Sequence, residues 1–158
     1  MKLLGIAVRD APKLPMRLIS KAKVSIDKGI IEDFRGKSLK RQITMMSLVD
    51  WESACNEINV NLPWYLRRAN LLIDSVKFSE LSIGQKITFD EVCLEVVMEC
   101  DPCHRMQAIH PDLKKALTTD WRGGACCRVI KSGVINVGEK LSVVANMELI
   151  TGSYIHMQ

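Results

Sequence analysis

The constraint that most limits the fold lies in Val92 to Met98, where Val92, Leu94, Val96 and Met98 alternate with Cys93, Glu95 and Val97. Successive side chains of a strand point to opposite faces, so this period of two predicts a half-buried strand. Short β-branched runs bounded by turn signals recur along the chain and predict a mainly β, barrel-like fold. Leu3 to Val8 reads as the first strand. Val24 to Ile26 precedes the turn Asp27-Lys28-Gly29, whose glycine is placed for positive φ. Ile30 to Lys37 reads as a charged loop, and Arg41 to Met46 as a strand. Lys86 to Phe89 leads through a turn at Asp90-Glu91 into the alternating strand. Cys126 to Ile130 and Val134 to Val137 are expected to form a hairpin through Lys131-Ser132-Gly133, with a last strand ending at Val144.

A few short helices interrupt the strands. Ser47 with Asp50 three residues on resembles a capping box, and Leu48, Trp51, Cys55 and Ile58 then fall on one helical face. That helix should end before Pro63, and Cys55 on its apolar face reads as a small core hydrophobe. His110 to Leu117 reads as a second helix. The segment Leu62 to Asn70 mixes aromatics with Arg67 and Arg68 and is open to reading as a pocket wall or a surface loop.

The 158 residues are expected to form one domain, with a core over about 3–144 and a tail at 146–158. The longest apolar runs fall well short of the roughly 18–20 residues that cross a bilayer, so no membrane association is expected. A net charge of +4 with basic residues scattered in pairs and few aromatics points to an anionic ligand rather than nucleic acid. Six cysteines without a secretion signal read as free thiols, and the expected location is the cytoplasm.

The chemistry-bearing stretch is Cys100-Asp101-Pro102-Cys103-His104-Arg105. Asp101 reads as an N-cap, Pro102 as the first helical residue and Cys103 as the second. Free backbone N–H groups at the helix start, with His104 and Arg105, favour a thiolate at Cys103, and the Asp101 carboxylate opposes it. Cys100 reads as a packing residue, with a resolving role toward Cys103 as the alternative. Structural zinc on Cys100, Cys103, Cys126 and Cys127 is a further reading, but neighbours on a strand point to opposite faces, which sets Cys126 and Cys127 apart. The paired glycines of Arg122-Gly123-Gly124 allow a backbone to approach a ligand closely.

Six runs taken together resemble the MOSC domain, named for the C-terminal domain of molybdenum cofactor sulfurases. They are Gly29-Ile30-Ile31-Glu32-Asp33, Arg41-Gln42-Ile43-Thr44-Met45-Met46-Ser47, Arg68-Ala69-Asn70-Leu71-Leu72-Ile73, Pro102-Cys103, Arg122-Gly123-Gly124 and Gly133-Val134-Ile135-Asn136-Val137-Gly138-Glu139. The resemblance implies a β-barrel-like fold of the small stand-alone bacterial type and an association with molybdenum cofactor, that is, molybdopterin with its metal. It further implies that Cys103 serves as a persulfide-carrying sulfur or as the thiolate ligand of molybdenum. The cofactor's phosphate would be gripped by Arg41, Arg68 and Arg122, with Asn70 as a polar contact and Gly123 and Gly124 beside it. Arg35 and Arg105 are weaker candidates. Implied partners are cofactor-biosynthesis and sulfur-donor proteins. The alternative implied activity is an oxidoreductase that reduces N-hydroxylated compounds with an external electron donor. Where relatives carry a Gly-Asp-x-His-type run in the early loop, this chain reads Glu32-Asp33-Phe34-Arg35-Gly36, without the histidine.

Overall fold

A computed structural model describes residues 1–34, 36 and 40–144. The Arg35 candidate and the tail at 146–158 lie outside the described residues. In chain order the elements are β1 (Leu3–Val8), β2 (Arg17–Ile19), β3 (Lys21–Ser25), β4 (Gly29–Ile30), β5 (Ile43–Ser47), α1 (Leu48–Glu57), β6 (Leu71–Ile73), β7 (Lys86–Thr88) and β8 (Cys93–Glu99). They continue with α2 (His104–Ile109), α3 (Leu113–Thr118), β9 (Ala125–Lys131), β10 (Gly133–Asn136) and β11 (Ser142–Val144). Short 3₁₀ turns occupy Trp64–Arg67, Glu80–Ser82 and Thr119–Trp121.

The chain is mainly β, as its period-two runs predict. Eight strands form one sheet in the order β11-β7-β8-β9-β5-β6-β1-β2, and β10-β3-β4 form a second. Among the described residues the large sheet is not closed into a barrel: β11 and β2 end it, and Lys2 meets Lys140 in an isolated antiparallel bridge. In β8, Leu94 and Val96 are buried while Cys93, Glu95 and Val97 are only partly so. Gly29 does take positive φ, at 64°. It also begins β4, which zips onto β3 through Val24 opposite Ile30, so strand pairing starts where a charged loop was expected.

The expected hairpin of β9 and β10 does not form. One edge of β9 pairs with β8 and the other with β5, which leaves no ladder free for a third partner. β10 therefore crosses to the second sheet and pairs antiparallel with β3.

Alternation along the central strands divides the apolar side chains between two clusters. Ile43, Met45, Leu71, Ile73, Leu94, Val96, Cys127 and Val129 join the main core. Met46 and Leu72 face the other way and are covered by Trp51, Ala54 and Cys55 of α1 and by Leu113, Ala116 and Leu117 of α3. α1 begins where expected, with the Ser47 hydroxyl accepting from the Asp50 N–H at 3.4 Å. The helices cover only part of that outer face. Thr44 and Asn70, two residues before Met46 and Leu72, share their side of the sheet and remain beyond the helical cover.

Candidate functional site

The uncovered part of the outer face is the floor of a cleft of about 510 Å³. Thr44 of β5 lies opposite Cys126 of β9, so two adjacent strands place a pair of side chains there. Asn70 extends the pair into a row. Its side-chain oxygen accepts from the Thr44 N–H at 3.0 Å, and its amide nitrogen donates to the Ala7 carbonyl at 3.1 Å. Asn70 therefore lines the cleft while its bonds hold β5, β6 and β1 together.

Three of the six cysteines line this cleft: Cys100, Cys103 and Cys126. Cys103 is exposed, Cys100 half-buried and Cys126 fully buried. The neighbour of Cys126, Cys127, points into the main core, where burial pushes its thiol up to about 12. The four thiols of the zinc reading thus do not converge, and among the described residues no three His, Cys, Asp or Glu side chains form a metal-holding group.

The position of Cys103 differs from the sequence expectation. It is the N-cap of α2, with extended φ −105° and ψ 177°, and the helix begins at His104. Strand pairing is the reason: the Cys100 N–H still bonds the Gly124 carbonyl at 2.9 Å. Pro102 is buried against Gly123, so the chain turns only after this contact. Asp101 consequently precedes the cap, and Cys103 sits at the rim with an exposed side chain.

Positive charge surrounds the thiols. Among the described residues, five arginines and one aspartate line the cleft: Arg9, Arg41, Arg67, Arg68, Arg105 and Asp33. Arg68 is presented by an unusual backbone, closing the 3₁₀ turn with φ 67°. The Arg9 guanidinium lies over the Phe34 ring at 4.7 Å, and the Arg9 backbone N–H donates to the Asp33 carboxylate at 2.9 Å. The early loop that lacks the family histidine is thereby tied to the end of β1.

The residue that sequence reasoning passed over is Arg67. It is buried, and its Nη2 donates to the Cys100 carbonyl at 2.8 Å, the Gly123 carbonyl at 3.1 Å and Cys100 Sγ at 3.2 Å. The Cys126 thiol donates to the Cys100 sulfur, and this bond, with the charge of Arg67, holds the Cys100 thiol well below its ordinary range. The same bond and burial push Cys126 up, so within the pair Cys100 carries the negative charge and Cys126 the proton. Its signal in the sequence is the Arg67-Arg68 dipeptide itself, but the 3₁₀ turn that sends Arg67 inward has no marker of its own.

A pH profile follows from this arrangement. Because the folded Cys100 ionises below the usual thiol range, its alkylation by iodoacetamide should persist below that range and fall only as the pH drops through its lowered pKa. Peptide-resolved mass spectrometry after timed alkylation reads this directly; a Cys100 profile at the ordinary thiol midpoint would contradict it.

Arg41, Arg68, Asn70 and Cys103 are brought together at the cleft, whereas Arg122 is not among its lining residues. Arg122 Nη1 bonds Glu57 at 3.1 Å and the Ala116 carbonyl at 3.2 Å, tying α3 to the end of α1. Gly123 and Gly124 support the site from behind: the Gly123 carbonyl receives Arg67, and Gly124 takes φ 94° against the Met45 carbonyl.

The fold and the cleft define a class: a β-sheet protein whose central strands present thiols among guanidinium groups. The chain belongs to the MOSC domain family, whose model matches residues 34–142. No curated protein matches it. Among solved structures it resembles the YuaD protein of Bacillus subtilis, at 20% identity and a TM-score of 0.78, over 91% of this chain and 95% of that one. It also resembles YiiM of Geobacillus stearothermophilus, at 17% identity and a TM-score of 0.72, over 90% of this chain and 74% of that one. YiiM of Escherichia coli aligns at 15% identity and a TM-score of 0.67, over 94% of this chain and 75% of that one. These likenesses establish the fold. MOSC domains as a family are associated with molybdenum cofactor. No helix is long and apolar enough to cross a membrane among the described residues.

Proposed function

We propose that the cleft binds molybdenum cofactor or carries its sulfur, with Cys103 as the molybdenum thiolate ligand or persulfide-bearing residue. The supporting observation is an exposed thiol at the rim of a cleft lined by Arg41, Arg68 and three further arginines. The donor set fits the group at both ends. A soft thiolate suits molybdenum, and an accessible sulfur suits persulfide transfer. Guanidinium groups meet a phosphate with paired, charge-assisted hydrogen bonds. When bound, the cofactor supplies a metal centre able to change oxidation state.

The chain's own residues divide the work. Cys103 offers its sulfur at the rim, Arg41 and Arg68 hold the anionic pterin phosphate, and Asn70 fixes the floor by clamping three strands. The six free thiols accord with a reducing compartment such as the cytoplasm. Partners in this reading are cofactor-biosynthesis or sulfur-donor proteins and, if the metal turns over, an external electron donor.

Purification from a cofactor-producing host, followed by assay of molybdenum, pterin and cyanide-labile sulfur, tests this reading. Near-stoichiometric pterin with molybdenum, or sulfane sulfur on Cys103, is expected; the absence of all three would overturn it. Arg41→Gln and Arg68→Gln should each weaken pterin retention by on the order of tenfold, the worth of a lost charge-assisted hydrogen bond. Retention unchanged in the double variant would remove the phosphate role.

A further inference from the structure

The cleft holds more sulfur than the proposed function uses. Cys126 sits on the floor beside Cys100: the Cys100 N–H bonds the Gly124 carbonyl, which makes Cys100 and Cys126 diagonal neighbours on adjacent strands lining one cleft, and the buried Arg67 touches the Cys100 sulfur at 3.2 Å. Arg67 is built into this position by two backbone carbonyls, so the cation beside Cys100 does not depend on a ligand to order it. Cys127, one residue on, faces the core and is excluded from the group.

We propose that Cys100 and Cys126 form a second sulfur site, a dithiol that accepts a sulfane sulfur at Cys100 and releases it as hydrogen sulfide while closing to a disulfide. The inference rests on the sulfur-handling reading only for a donor on Cys103; a low-molecular-weight persulfide entering the cleft is the other source, and the chemistry is the same for both.

In the first step the Cys100 thiolate attacks the outer sulfur of a persulfide, R–S–SH. The bond between its two sulfurs breaks, RS⁻ leaves, and Cys100 becomes the persulfide Cys100–S–SH. Thiolates react in this way at sulfur–sulfur bonds, and the rate depends on the thiolate fraction and on access. In the second step the sulfur of Cys126 attacks Cys100 Sγ. The outer sulfur leaves with its hydrogen and takes the proton that Cys126 loses, giving H₂S and the Cys100–Cys126 disulfide. The two thiols are oxidised by two electrons, and the sulfane sulfur is reduced to sulfide. A dithiol reductant of the thioredoxin class restores the pair.

The electrostatics assign the order of events. The Cys100 side of the pair carries the charge and is half-exposed, so it meets the incoming persulfide. The Cys126 side is buried and holds its proton until the leaving sulfur needs one.

Glutathione persulfide added to the fully reduced protein tests the proposal, read by a sulfide electrode and by intact mass. The expected result is a burst of sulfide matched by a loss of 2 mass units, with the disulfide mapped to Cys100 and Cys126. Cys126→Ala should retain sulfur on Cys100, a gain of 32 mass units, without the burst. Cys100→Ser should show neither change at this pair. A mapped Cys100–Cys103 disulfide, no disulfide in the native protein, or an undiminished burst from folded Cys126→Ala would each overturn the proposal. The native-protein mapping decides the matter even if Cys126→Ala does not fold. In Cys103→Ser, a slower burst supports the dithiol with Cys103 as its entry point. An unchanged burst supports the dithiol with direct entry and counts against Cys103 as the sulfur carrier, which separates the two claims.

Discussion

Replacing Gly124 by alanine should destabilise the protein by about 4 kcal/mol, lowering its melting temperature by roughly 8–16 °C. Gly124 immediately precedes β9 with φ 94°, a region that costs an L-residue on the order of 1–3 kcal/mol. A Cβ at this position would overlap the Met45 carbonyl oxygen of the paired strand β5, and the neighbour is backbone rather than a pliable side chain. Relief would require β9 to move from β5, adding about 1–3 kcal/mol. The Gly124 carbonyl also receives the Cys100 N–H, so the same shift displaces the thiol pair. Thermal unfolding by circular dichroism reads the effect; a melting temperature within a degree or two of the parent would show that the close approach is relieved at no cost.

The second large effect is expected from Arg67→Met, which keeps much of the volume and removes every donor. Two carbonyls, those of Cys100 and Gly123, lose a charged partner in a buried setting. At about 1.5–3 kcal/mol for each such bond, the loss should reach about 3–6 kcal/mol. The variant carries a second signature that a purely structural role would not produce. Without the guanidinium beside it, the Cys100 thiol should rise toward its ordinary range, and its alkylation profile should move to higher pH. Destabilisation with an unmoved Cys100 profile would confine Arg67 to bridging the backbone.

Local pattern carries much of the scaffold. The period of two in Val92 to Met98 and the Ser47 cap determine β8 and α1 from residues within a few positions of one another. β10 shows where that information ends: its own sequence reads as a strand, yet its partner is β3 because both edges of β9 are occupied. Pairing across more than a hundred residues leaves no mark in the strand itself. The same limit separates the thiols. Alternation places Cys126 and Cys127 on opposite faces, but only the register of β9 against β5 and β8 decides which one reaches the cleft. Pro102-Cys103 is recognisable as a strand-to-helix junction, while the placement of the cap on Cys103 itself depends on Cys100 still pairing with Gly124. Arg122 beside two glycines resembles a ligand-binding loop, and tertiary structure spends it instead on Glu57 and Ala116.

The proposed function rests on Cys103 as the sulfur through which the cleft holds cofactor or persulfide. Its most direct test compares Cys103→Ser with the parent protein, both purified from a cofactor-producing host, for molybdenum, pterin and cyanide-labile sulfur per folded chain. The side chain is exposed, so the substitution should leave the melting temperature near that of the parent. The sulfur-dependent cargo, molybdenum or sulfane sulfur, is expected to fall to background in the variant. Cargo retained at the parent level by folded Cys103→Ser would contradict it.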